Sequence, residues 1–139
     1  HAAAGRLLLM DDESSVRLVA CRMLGRIGWD VTATADGQEA VDAYRSALSG
    51  GEPYDMVFTD LTVPGGMGGA ETMRRLLEID PQVRAVVCSG YSNDPVMAQF
   101  RDHGFVGVMT KPFTLQDLRR ILDQAMREPL PESVPVSTS

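Results

Sequence analysis

The sequence predicts an α/β fold, a doubly wound parallel sheet, on three observations. Five apolar runs alternate with five stretches of helical periodicity along 139 residues. Strands that alternate with helices demand a parallel sheet covered on both faces. Polar signals also stand at four predicted strand ends: Asp11-Asp12, Asp60, Ser89 and Lys111-Pro112. Right-handed crossovers bring such ends together at one edge of the sheet, where open α/β sheets carry their sites.

Leu7-Leu8-Leu9-Met10 reads as the first strand. The first helix is expected over about Ser14 to Ile27, because Val16, Val19, Ala20, Met23, Leu24 and Ile27 fall on one stripe and Gly28 stops it. Trp29, Val31, Ala33 and Ala35 alternate as a second strand. Asp36-Gly37 then turns the chain into a helix lined by Ala40, Val41, Tyr44, Ala47 and Leu48. Gly50-Gly51-Glu52-Pro53 breaks the chain before the strand Met56-Val57-Phe58. A glycine-rich loop from Pro64 to Gly69 leads into a third helix carrying Met73, Leu76 and Leu77. Ala85 to Cys88 forms the fourth strand. Asp94-Pro95 opens a fourth helix that Gly104 closes, with Pro in the first turn. Val106 to Met109 forms the fifth strand. Thr114 and Asp117 cap a last helix with Leu115, Leu118, Ile121 and Leu122 inside.

The bulk numbers fit one domain with a real core, 44% of residues being apolar. We expect it over residues 6–127, with linker residues 1–5 before it and a flexible Pro/Ser-rich tail over 128–139. The net charge of −6 argues against nucleic acid as a direct partner, since phosphate neutralisation needs a basic face. No apolar run approaches the ~20 residues of a membrane span, so no membrane contact is expected. Cys21 and Cys88 read as buried free thiols, a cytoplasmic pattern.

Asp11-Asp12-Glu13 is a dense acid cluster, and adjacent carboxylates are best tolerated beside a cation. Hard oxygen ligands of this kind suit Mg²⁺, which needs one or two carboxylates and keeps several waters. The competing reading makes Asp12 and Glu13 solvated acids at a helix N-terminus, where the dipole favours them. Asp60 beside a metal could attack phosphorus and form an acyl phosphate. Lys111 could neutralise charge on the transferring group, and Ser89 could donate to one of its oxygens. His103 reads as a charge at a helix C-terminus, and no other internal His offers it a partner.

These motifs, Leu-Leu-Leu-Met-Asp11-Asp12-Glu, Phe-Thr-Asp60-Leu-Thr-Val-Pro64, Val-Cys-Ser89-Gly90 and Lys111-Pro112-Phe113, resemble the receiver domain of two-component response regulators over residues 6 to 126. The resemblance implies a flavodoxin-like (βα)5 fold with strand order 2-1-3-4-5. It implies Asp60 as the acceptor of phosphate from a histidine kinase or histidine phosphotransfer domain. It implies Mg²⁺ held by Asp12, Asp60 and the main-chain carbonyl of Thr62, with Asp11 acting through water. Ser89 and Lys111 would contact the phosphoryl group, and the Lys111-Pro112 bond would be cis. Weak homodimer formation belongs to the same expectation.

Three departures from the family pattern stand out. The loop after Asp60 is one residue longer, the strand position three before Lys111 is Val108 in place of an aromatic, and Tyr91 is bulky enough to cover the phosphoryl site. The long glycine loop and the stretch Ser89 to Met97 resemble receivers attached to hybrid sensor kinases. A stand-alone response regulator and a non-phosphorylated pseudo-receiver remain open. A flavin-binding flavodoxin is disfavoured, because Asp11-Asp12-Glu13 would repel its cofactor's phosphate, and a phosphatase would need an Asp-x-Asp nucleophile motif.

Overall fold

The computed structural model describes residues 4–91 and 93–130; the first three residues and most of the Pro/Ser-rich tail lie outside them. In chain order the elements are β1 (Gly5–Met10), α1 (Ser14–Arg26), β2 (Trp29–Thr34), α2 (Gly37–Ser49), β3 (Met56–Asp60), α3 (Gly69–Ile79), β4 (Ala85–Ser89), α4 (Pro95–Ala98), a 3₁₀ turn (Phe100–His103), β5 (Gly107–Thr110) and α5 (Leu115–Arg127). The strands form one sheet in the order β2-β1-β3-β4-β5, every pair parallel. This is the flavodoxin-like order that the motifs implied.

Side chains leave a strand alternately to its two faces, so each strand feeds two core layers. Leu8, Met10, Val57, Ala85 and Val87 meet Val41 and Tyr44 of α2 and Met73 and Leu76 of α3. Leu7, Leu9, Met56, Phe58, Val86 and Cys88 meet Ala20 and Leu24 of α1 and Leu118, Ile121 and Leu122 of α5. Every residue of β3 and β4 is buried, as central strands of a parallel sheet require.

Capping follows the sequence closely in two helices. The Asp36 side chain accepts the Glu39 N–H at 2.9 Å to open α2. Thr114 and Asp117 form a reciprocal capping box on α5, and the Thr114 N–H helps hold the Asp117 carboxyl below the usual range.

Three expectations are corrected. The fourth helix does not run through to Gly104: four α residues are followed by a 3₁₀ turn. Asp94 caps the start at Val96 N–H, but only Met97 of this stretch is fully buried, so too little packing sustains an α-helix. Gly104, at φ +92°, then turns the chain out. Val19 leaves the inward stripe of α1 and is 53% exposed beside an equally exposed Leu18. Cys21 is only half-buried, whereas Cys88 is buried as expected, with its thiol pushed up to about 12 by that burial.

Candidate functional site

The register of the sheet builds the site. Met10 lies beside Thr34 and Thr59, Asp60 beside Cys88, and Ser89 beside Thr110. The strands therefore end nearly level, and the residues just past them meet. Asp11 N–H donates to Thr34 O at 3.1 Å, Leu61 N–H to Cys88 O at 2.8 Å, and Lys111 N–H to Ser89 O at 2.8 Å. Asp11, Asp60 and Ser89 are buried, while Asp12 is exposed over them.

One carboxylate oxygen from each of Asp11, Asp12 and Asp60 lies within 4.8 Å of the others. Lys111 Nζ donates to Asp11 Oδ2 at 2.6 Å and stands 3.2 Å from Asp60 Oδ1. Burial works against the ammonium, but the Asp11 hydrogen bond and the charge of Asp60 outweigh it and hold Lys111 above its usual range. The other Asp11 oxygen accepts the Glu13 N–H at 2.9 Å, and Arg17 Nη1 fixes the Asp11 carbonyl at 2.7 Å. The Lys111 ammonium supports Asp60. Burial, aided by the charge of Asp11 and by the neighbouring Asp12 carboxyl, pushes its carboxyl up to about 6 against the pull of Lys111. Asp60 is thus held less fully than Asp11, both of whose oxygens are engaged.

Three carboxylates and one ammonium leave two negative charges, which a divalent cation matches. Oxygens that bind Mg²⁺ directly lie about 2.1 Å from it, so two of them stand at most about 4.2 Å apart. The three oxygens lie within 4.8 Å of one another, close to that limit, and both Asp11 oxygens are already engaged. A metal held by two carboxylates, with a third beyond a water, fits this donor set.

Ser89 Oγ accepts the Tyr91 N–H at 3.0 Å, so the hydroxyl keeps its proton for another acceptor. Thr62 is exposed in the loop two residues past Asp60. The Lys111-Pro112 bond is cis. Tyr91 does not cover the cluster: its backbone turns back onto Ser89 and its side chain is left 72% exposed. Val108 is half-buried and packs against the α2–α3 layer. Glu13 and His103 add no ligand oxygen or nitrogen to the cluster among the described residues.

Two features escaped sequence reasoning. Gly68 and Gly69 let α3 start against the backbone of Asp60 and Leu61, with Gly69 N–H donating to Leu61 O at 2.9 Å. A Cβ at Gly69 would stand 2.7 Å from Asp60 O, and one at Gly68 would stand 2.6 Å from Leu61 O. The glycines of the long loop are therefore a close-approach device, which a run of turn residues does not by itself reveal. The second is a groove of about 450 Å³ beside the cluster, lined by Ser15, Val16, Val19, Lys111, Pro112 and Phe113. Its wall is largely apolar, and Lys111 belongs to both groove and cluster.

With this geometry the comparisons with known proteins agree. The sequence model of the response regulator receiver domain matches residues 7–123, and the chain belongs to that family. It is 25% identical to Sporulation initiation phosphotransferase F of Bacillus subtilis over 114 residues, covering 82% of this chain and 87% of that protein. It is 28% identical to Sensor kinase CckA of Brucella abortus over 127 residues, which are 91% of this chain but 13% of that protein. A crystal structure of a LuxR-family two-component response regulator from Aurantimonas superposes with a TM-score of 0.80 at 27% identity, covering 95% of this chain and 91% of that one. The chain is therefore a receiver domain of two-component signalling, and no helix among its described residues is long and apolar enough to cross a membrane.

Proposed function

We propose that residues 6–127 form a phosphoacceptor domain that takes a phosphoryl group from a histidine of a sensor kinase or phosphotransfer protein onto Asp60. The observation that carries this reading is the convergence of Asp11, Asp12 and Asp60 within 4.8 Å under the head of Lys111. An oxygen of Asp60 attacks phosphorus, the P–O bond forms, and the P–N bond breaks with its electron pair returning to the imidazole. Asp12 and Asp60, with the Thr62 carbonyl, would hold Mg²⁺ and Asp11 would reach it through water; the bound ion would neutralise charge on the phosphoryl oxygens. Lys111, already 3.2 Å from Asp60, neutralises a further oxygen of the transferred group, and the Ser89 hydroxyl donates to another.

We assign the domain to a hybrid sensor kinase, on its similarity to CckA and on the glycine loop and Ser89–Met97 stretch. Two free cysteines suit action in the cytoplasm. The test is incubation with acetyl phosphate and Mg²⁺ followed by mass mapping. One phosphate should appear, on the peptide that contains Asp60, and EDTA should prevent it. Label on another residue, or undiminished label in EDTA, would overturn the assignment.

The groove gives the protein donor its place. Exposed Val19 lies in its apolar wall with Lys111, and a histidine-bearing helix seated there would come up against Asp60. Val19→Glu should slow transfer from a phosphohistidine protein about tenfold or more, the effect of losing about 1.4 kcal/mol of docking. Uptake from acetyl phosphate, which needs no groove, should be unchanged. Equal losses with both donors would remove the groove from this account.

A further inference from the structure

β4 runs from Ala85, just past Arg84, to Ser89 at the carboxylate cluster, and the chain returns along α4 and the 3₁₀ turn. That return arm is lightly built, with Met97 its only fully buried residue. Its near end is tied to the site, because Tyr91 N–H donates to Ser89 Oγ and Asp94 N–H to Tyr91 O at 3.3 Å. Its far end meets the end of α5. Arg101 Nη2 lies 2.8 Å from Glu128 Oε1, while the Arg101 guanidinium stacks over the Phe100 ring at 4.8 Å.

Glu128 is the first residue past α5, and it is held from two directions. Its carbonyl accepts from Arg84 Nη1 at 2.6 Å, and the same nitrogen reaches Ala125 O at 2.9 Å. This hold is part-buried and belongs to the body of the sheet, since Arg84 O in turn accepts the Val57 N–H. The hold from Arg101 is of another kind, a single ion pair at the surface with the Arg101 side chain 54% exposed. Such pairs are individually weak and easily broken by a small displacement of one partner. The Arg84 contact therefore anchors the end of α5, and the Arg101 contact reports where the arm lies.

We propose that the Arg101–Glu128 pair is a latch by which the phosphorylation state of Asp60 sets the position of the residues that follow α5, Glu128–Leu130. The inference rests on Asp60 being the phosphoacceptor. When the Ser89 hydroxyl turns to a phosphoryl oxygen, the Ser89–Asp94 turn moves with it. The arm has few buried contacts to hold it in place, so it shifts with the turn and carries Arg101 with it. Segments with few buried contacts are the ones that shift in response to ligands. The latch opens or re-forms in a new position, and residues Glu128–Leu130 follow while Arg84 keeps α5 in place. This route replaces the inward swing of an aromatic on β5, which Val108 cannot make.

The test uses the 139-residue chain labelled with ¹⁵N, before and after treatment with acetyl phosphate and Mg²⁺, with intact mass read on each sample. In the natural chain, phosphorylation should shift the amides of Arg101, Glu128 and Leu130 more than those of α2. Arg101→Ala, an exposed substitution, should bring the Glu128 and Leu130 amides to new positions at once, and phosphorylation should then move them little further. The exchanged pair Arg101→Glu with Glu128→Arg should restore their response. A sample that carries one phosphate by mass while Glu128 and Leu130 stay still overturns the latch alone. So does an Arg101→Ala protein that keeps the full phosphorylation shift. Failure to gain phosphate at all overturns the phosphoacceptor reading, and the latch with it.

Discussion

Asp60→Asn is expected to abolish phosphate uptake and, without metal at pH 7, to make the protein more stable than the natural chain. Asp60 is 8% exposed, beside Asp11, and its carboxyl is raised from 3.8 to about 6, first by burial. The folded protein therefore binds more protons than the unfolded chain between about pH 4 and about pH 6, and stability falls as pH rises through that window. A tenfold change in proton affinity corresponds to about 1.4 kcal/mol. Roughly two such factors, discounted for solvent over the open side of the cluster, leave about 1–2 kcal/mol. Asparagine keeps the shape and carries no charge, so the melting temperature in EDTA should rise by about 3–8 °C at pH 7. The gain should shrink below pH 6 and vanish toward pH 3, where Asp60 is protonated in both states, and Mg²⁺ should narrow it at pH 7 by stabilising the natural chain. A difference that persists in full at pH 3 would show that charge at Asp60 is not its cause.

Gly69→Ala should damage both stability and chemistry. The new Cβ would lie 2.7 Å from Asp60 O and 3.0 Å from Leu61 Cα, against backbone that has no rotamer by which to move aside. Overpacking of this kind costs about 1–3 kcal/mol, and relief must come by shifting α3 or the end of β3. Since β3 carries Asp60, phosphate uptake should slow about 10- to 100-fold, the scale of a misplaced reacting group. Gly25→Ala is the control. It lies in α1 with nothing within 4 Å of the added carbon, and it should raise stability by about 0.5–1 kcal/mol while leaving uptake unchanged. Thermal melts and acetyl phosphate kinetics on both variants check the pair, and normal uptake by Gly69→Ala would show that the close approach does not position Asp60.

The strands and their polar ends were legible because each is a local pattern, an apolar run closed by a charged or hydroxyl residue. The meeting of Asp11, Asp60 and Lys111 followed from topology alone, since parallel strands ending level must bring such groups together. What stayed hidden depended on facing surfaces. Val19 fits the helical spacing of buried residues, yet it is 53% exposed, and periodicity cannot report what lies opposite. Asp94-Pro95 signals a helix start truly, but the length of a helix depends on how much of its face is buried, and this one buries little. Tyr91 was expected over the site because of its size, whereas the Ser89–Tyr91 hydrogen bond fixes its backbone and leaves the ring outside.

Lys111 has its ammonium on the two buried carboxylates and its side chain in the wall of the apolar groove. In the proposed transfer, a donor helix seated in that groove leans on the side chain that is about to receive the phosphoryl oxygens. Recognition and chemistry then share one movable part. If the ammonium leaves Asp11 for the new phosphate, the wall against the donor would change shape with it, and the grip that delivered the group would loosen once delivery is complete. Turnover of the donor would then rest on the same residue as capture, and tighter docking at this wall would come at the expense of release.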